Sequence, residues 1–216
     1  MGAKTALLAF TDGDLRPALL GATRSTPAEA EALVRTIHPG HEVTPAEDGF
    51  LAELSYPPDN LTYATVLAGA EILSDNRLVL DRPSQLPEHL VKLGTGRRIV
   101  MHGMHSTVDW LCFAMWENGN LIRSLSLSPD GGIAENIGEP FAFERPFWAG
   151  EHSVEPNPDW EDEEPYPLPF HPLELGEEAL RALFGFVLED YPHPDDINAD
   201  AVHLHGFLVR EQFGRD

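Results

Sequence analysis

Val108-Asp109-Trp110-Leu111-Cys112-Phe113-Ala114-Met115-Trp116-Glu117-Asn118-Gly119-Asn120-Leu121-Ile122-Arg123-Ser124-Leu125-Ser126-Leu127-Ser128 is the stretch on which the reading of the fold turns. Successive side chains of a strand point to opposite faces. On that period Val108, Trp110, Cys112, Ala114 and Trp116 share one face, while Leu111, Phe113 and Met115 dominate the other. A strand apolar on both sides belongs in the middle of a sheet that is covered twice. Asn118-Gly119 then supplies two residues that tolerate the positive φ of a tight hairpin turn. The return run sets Leu121, Arg123, Leu125 and Leu127 against Ile122 and three serines, and Ser128-Pro129-Asp130-Gly131-Gly132 ends it. The stretch predicts a central antiparallel hairpin over Val108–Ser128.

The flanks extend this pattern. Thr5 to Phe10, Phe50 to Leu54, Ala64–Ala70, Glu71–Leu73, Arg98 to Met101 and Ala201 to Val209 read as extended segments. Thr26-Pro27-Ala28-Glu29 opens a helix, with Thr26 as N-cap, Pro27 at the first position and Glu29 closing a capping box. Ala30, Leu33, Val34 and Ile37 recur on its inner face, and Pro39-Gly40 ends it. Ser84 is placed to cap a short helix over Gln85–Leu93. A last helix spans Glu174 to Glu189, with Leu175, Ala179, Leu183, Phe186 and Val187 inward. The expected architecture is α+β: one domain over residues 1–216, a mainly antiparallel sheet and two or three flanking helices.

The 216 residues include one cysteine, Cys112, so no internal disulfide forms and a reducing compartment is expected. The apolar run after Lys4 is too short for a signal peptide or a span, and no other stretch reaches membrane length. The expected location is the cytoplasm. Thirty-six acidic residues face fourteen basic ones, a net charge of −22, and only Lys4 and Lys92 are lysines. That balance disfavours nucleic acid, because binding a phosphate backbone needs cations that displace its counterions. A large negative field keeps a protein soluble, which is the plain reading of the charge, and it can also steer the chain toward a basic protein.

Acid and proline concentrate in a loop over residues 148–172, where Trp160-Glu161-Asp162-Glu163-Glu164-Pro165 is the densest run. Like charge and proline both oppose packing, so the plain reading is a solvated loop. Aromatic anchors within a charged rim also make partner sites, which singles out Trp148, Trp160, Glu161, Asp162, Glu163 and Glu164.

No complete catalytic motif occurs. Met1-Gly2-Ala3-Lys4-Thr5 lacks the contiguous Gly-Lys-Thr of a phosphate loop, and Gly-x-Ser-x-Gly and His-Glu-x-x-His are missing. Ser106 beside His105 with Asp109 nearby has the residue types of a triad but no spacing that defines one. The chain is therefore read as a non-catalytic binding protein without a cofactor. The alternative is a metal-dependent hydrolase or oxygenase. His102 and His105 flank an expected turn after a strand, and His203 and His205 alternate on another strand. Brought together, these four imidazoles would hold zinc or iron.

Three stretches carry a family likeness: Asp81-Arg82-Pro83-Ser84-Gln85-Leu86-Pro87, Ser124-Leu125-Ser126-Leu127-Ser128-Pro129-Asp130-Gly131-Gly132, and Gly138-Glu139-Pro140-Phe141-Ala142-Phe143-Glu144-Arg145-Pro146-Phe147-Trp148-Ala149-Gly150-Glu151. Through them the chain resembles an uncharacterised protein family of actinobacteria, a domain of unknown function. The excess of arginine over lysine and the abundance of Ala, Gly and Pro suit such GC-rich genomes. No activity attaches to that family, so the resemblance transfers no site residue. The Gly-Glu-Pro-x-x-Phe-Glu segment after a hairpin also resembles segments of small bacterial immunity-type proteins.

Overall fold

In the computed structural model, which describes residues 2–155 and 165–211, the chain opens with β1 (Lys4–Thr11), α1 (Leu15–Leu20) and α2 (Pro27–Ile37). There follow β2 (His41–Pro45), the two-residue β3 (Gly49–Phe50), α3 (Leu51–Leu54), and the pair β4 (Leu61–Leu67) and β5 (Ala70–Ser74). After α4 (Glu88–Leu93) come four consecutive strands, β6 (Arg98–His105), β7 (Trp110–Glu117), β8 (Asn120–Ser128) and β9 (Gly132–Ile137). The last elements are α5 (Arg145–Trp148), α6 (Pro172–Phe184) and β10 (His203–Glu211).

The strands lie in the order β2-β10-β4-β5-β1-β6-β7-β8-β9, with β3 joining β10 off this path. Every pairing is antiparallel. The fold is α+β, and the β7–β8 hairpin turns at Asn118-Gly119, both at positive φ.

Helices cover both faces, as the two-sided strand requires. On one face Leu111 and Phe113 of β7 join Leu7, Val100, Leu125 and Leu127 under α6, Phe147 and Phe170. On the other, Cys112, Ala114 and Trp116 join Leu8, Leu73, Ile99 and Met101 under α2 and α4. Each such fully buried side chain contributes about 1.5–3 kcal/mol. Within the β7–β8 hairpin the register shifts: Met115 pairs Arg123 but Trp116 pairs Leu121, so Ile122 is an extra residue on β8. Leu121 thereby leaves the face of Leu125 and Leu127 and packs with Trp116.

Local signals place α2 as expected, with Thr26 and Glu29 exchanging both capping-box bonds. Elsewhere the structure corrects the sequence. Phe50 to Leu54 is not a strand, because pairing stops at Phe50 and α3 turns Leu51 into the core with Leu54 packed beside it. Ser84 caps nothing: its N–H and hydroxyl both donate to Glu135, and Pro87 separates a 3₁₀ turn at Pro83–Gln85 from α4. The last helix stops at Phe184, where Gly185 takes φ 83°. A Cβ there would meet Ile197 Cγ1 at 2.9 Å, so glycine is required both for the turn and for the packing.

Two buried polar hubs tie loops to the sheet. Asp75 accepts from Arg77 and Thr62 and lies 2.9 Å from His38 Nε2. Although burial raises the Asp75 pKa, His38, Arg77 and Thr62 hold it down at about 2. Arg123 and Glu144, both wholly buried, pair at 2.6 Å. Arg123 also donates to Asn136 and to the Ile137 and Gly138 carbonyls, and Glu144 accepts from Phe141 N–H and Trp148 Nε1–H. This hub seats the segment from Gly138 to Trp148 on β8.

Candidate functional site

The turn at Gly185 builds an acidic concavity. It swings the chain back so that the Leu188 and Glu189 N–H groups donate to the buried Glu177 carboxylate at 2.8 and 3.2 Å. Burial raises the Glu177 pKa above its ordinary value in spite of those donors. Around it, Glu174 and Glu178 of α6 and Glu189 and Asp190 beyond the turn line a cavity of about 330 Å³. Among the described residues no lysine or arginine is in the lining. His152 closes one side, 2.5 Å from Glu174, and Arg181 spans Glu178, Asp190 and Asp196 from outside.

The expected partner residues divide. Trp148 faces inward: its indole N–H donates to Glu144 at 3.3 Å and its ring meets Phe170 edge-on at 5.0 Å. Trp160, Glu161, Asp162, Glu163 and Glu164 lie outside the described residues. Among the described residues, Arg24, Arg35, Arg77, Lys92, Arg97, Arg98, Arg123 and Arg181 all take part in ion pairs with acids. Of the acids outside these pairs, Glu135 and Glu177 are buried and accept hydrogen bonds.

The four histidines do not meet. His102 and His105 lie within β6 and not in a turn, because the β1–β6 pairing runs unbroken to His105. Three residues apart on a strand, they point to opposite faces. His102 is completely buried: Nε2–H donates to the Gly176 carbonyl at 2.9 Å, leaving Nδ1 to accept from Thr5 Oγ1–H at 2.7 Å. Burial lowers its pKa to about 4, so it is a neutral tether between β1, β6 and α6. His105 sits edge-on to Tyr56 in an open cavity of about 300 Å³ shared with Trp110, Asp81 and Asp130. Its buried Nδ1 has no partner, and burial together with Lys4 lowers its pKa. Asp109 lies 3.7 Å from His171, and His105 Nδ1 has neither Asp109 nor Ser106 as a hydrogen-bond partner. The Cys112 thiol is pushed up by burial and is inert.

His203 and His205 do converge, on one side of β10 with ring centroids 4.7 Å apart. Their partner was invisible in sequence: Asp48, at the end of the β2–β3 loop, stands 2.9 Å from His205 Nδ1 and 3.4 Å from His203 Nε2. Gly206 N–H donates to its other oxygen at 3.1 Å. Burial raises the Asp48 pKa, but the Gly206 bond, His205 and His203 bring it below its ordinary value. Among the described residues this trio is the group of His, Cys, Asp and Glu side chains close enough to share one ion.

A family model matches residues 5–207, nearly the whole chain. The chain belongs to DUF6928, a family of unknown function. The part matched to DUF6928 takes in both the acidic cavity and the Asp48–His203–His205 trio. No curated protein and no solved structure matches the chain. Among the described residues no helix is long and apolar enough to cross a membrane.

Proposed function

We propose that this DUF6928 protein is a non-catalytic cytoplasmic binding protein that captures a basic protein through its acidic surface. The observation that supports the reading is the cavity lined by Glu174, Glu177, Glu178, Glu189 and Asp190, with no lysine or arginine in the lining among the described residues. His152, nine residues before Glu161 in the same acid-rich loop, forms part of the same lining. Arg181 pairs with Glu178 and Asp190 and offsets part of their charge, and the acids left over in the concave wall focus a negative potential that speeds encounter with an opposite charge. Neutralising a basic protein, as the immunity-type likeness implies, is the form of capture proposed, and the arginine-rich, lysine-poor composition supports an actinobacterial source.

The test separates a site from bulk charge. The wild type, a Glu161→Gln/Asp162→Asn/Glu163→Gln/Glu164→Gln variant and an equal-charge control (Glu42→Gln/Asp59→Asn/Glu139→Gln/Asp200→Asn) are used to capture protein from the source organism at low and high salt. The expected result is one basic protein at fixed stoichiometry, kept by the control, lost by the first variant, and weakened by salt. Equal capture by all three in low salt, or equal loss from both variants, would refute the assignment.

A further inference from the structure

The acid surface does not account for Asp48, His203 and His205. A neutral imidazole carries one N–H and one lone pair. His205 has an acceptor at each nitrogen: the Ser25 carbonyl lies 2.8 Å from Nε2, and the Asp48 carboxylate lies 2.9 Å from Nδ1. The carbonyl accepts only, so it fixes the N–H on Nε2 and leaves the Nδ1 lone pair facing a carboxylate oxygen. Two acceptors in contact need a cation between them: an extra proton, or a metal ion. A proton satisfies only this pair. His203 Nε2 stands 3.4 Å from the same Asp48 oxygen, outside the proton-sharing pair but placed to share a metal ion with it.

We propose that Asp48 Oδ2, His203 Nε2 and His205 Nδ1 bind one zinc ion. With Zn–N and Zn–O bonds of about 2.0–2.1 Å, the edges of a tetrahedral site are roughly 3.3 Å. The observed separations from Asp48 Oδ2, 2.9 and 3.4 Å, bracket that edge, and all three ligand atoms lie within 4.8 Å of one another. Two imidazoles and one carboxylate suit zinc or ferrous iron and disfavour magnesium and calcium, which take all-oxygen shells. The outer shell is half built. Ser25 orients His205 and Gly206 N–H orients Asp48, but His203 Nδ1 has no partner. Such a gap lowers affinity by about 10- to 100-fold relative to a fully supported site. Three protein ligands leave a fourth position for water.

Arg24 provides a readout that a purely structural cluster would not give. Its guanidinium lies 3.4 Å from the same Asp48 oxygen while the side chain stays 65% exposed. It competes with the metal for Oδ2 and is free to swing into solvent. Its removal therefore strengthens zinc binding, whereas loss of a ligand weakens it.

Chelator-stripped, untagged protein is titrated with zinc sulfate by calorimetry at physiological salt with excess magnesium, and with cobalt(II) by visible absorption. One zinc per chain is expected, with a tetrahedral cobalt spectrum. His203→Ala and Asp48→Asn should each weaken binding at least about tenfold, and Arg24→Ala should tighten it several-fold. Circular dichroism checks that His203→Ala, at a largely buried position, remains folded. If Asp48→Asn does not fold, His203→Ala and the cobalt spectrum decide. Absence of binding would leave only an imidazolium–carboxylate pair and overturn the proposal, as would stoichiometric binding untouched by His203→Ala. None of these outcomes depends on capture of a basic protein.

Discussion

Glutamine in place of Glu144 removes one charge from the wholly buried pair with Arg123 and hardly changes its shape. The carboxylate now takes Arg123 Nε–H at 2.9 Å and Nη2–H at 2.6 Å, and also holds Phe141 N–H and Trp148 Nε1–H. Glutamine keeps one acceptor, turns an NH₂ toward the guanidinium, and leaves a cation buried without its counter-charge. Breaking a buried pair from one side costs about 3–5 kcal/mol. At about 2–4 °C per kcal/mol for a chain of this length, Tm should fall by roughly 6–20 °C. Urea unfolding followed by tryptophan fluorescence, alongside a thermal scan by circular dichroism, measures both. The double change Arg123→Met/Glu144→Leu should not restore stability, because the Ile137 and Gly138 carbonyls and Asn136 lose their donor as well. A loss below about 1 kcal/mol for Glu144→Gln, the size of an exposed pair, would refute the reasoning that this hub holds the 138–148 segment.

Other perturbations reach separate parts of the structure. Gly138→Ala should cost several kcal/mol, visible as a large drop in urea midpoint, since the residue sits at φ 82° and its Cβ would lie 2.0 Å from the Ile122 carbonyl oxygen. His102 is neutral in the fold with its pKa lowered to about 4 from 6.5, so the unfolded chain binds the extra proton between those values. Its contribution, about 3 kcal/mol, should be present above pH 6.5 and lost as pH falls toward 4. A stability–pH curve flat across that window would contradict it. Asp75, held near 2 against 3.8, should contribute about 2 kcal/mol above pH 4 that disappears as pH falls toward 2, and Asp75→Asn should remove that dependence.

What could be read from the sequence follows the range over which each signal acts. The β7–β8 hairpin was legible because its determinants, the period-two apolar runs and Asn118-Gly119, lie within about twenty residues of one another. The capping box of α2 spans four residues and was equally legible. The bulge at Ile122 was not, since an inserted apolar residue reads as continued alternation until its partner strand is known. Gly185 ended the last helix early although Phe186 continues its apolar stripe. Phe186 is buried, but from beyond the glycine turn.

The same logic governs the sites. His203 and His205 share a face because alternate residues of a strand always do, whereas Asp48 is 157 positions from His205 and is delivered by the loop into β3. His102 and His105 misled because a Gly-Met step between histidines reads as a turn when nothing shows that β1 pairs along its whole length. The acidic cavity was half visible: Glu174, Glu177 and Glu178 are neighbours in sequence, but Glu189 and Asp190 reach them only by way of the Gly185 turn.

Native mass spectrometry of the untagged protein purified from its source tests the proposed capture most directly. The reading predicts a complex with a basic protein at fixed stoichiometry, present for the wild type at low ionic strength and missing when Glu161–Glu164 lose their charges. A chain that flies without a basic partner in low salt, or that keeps the partner after those four changes, would contradict it.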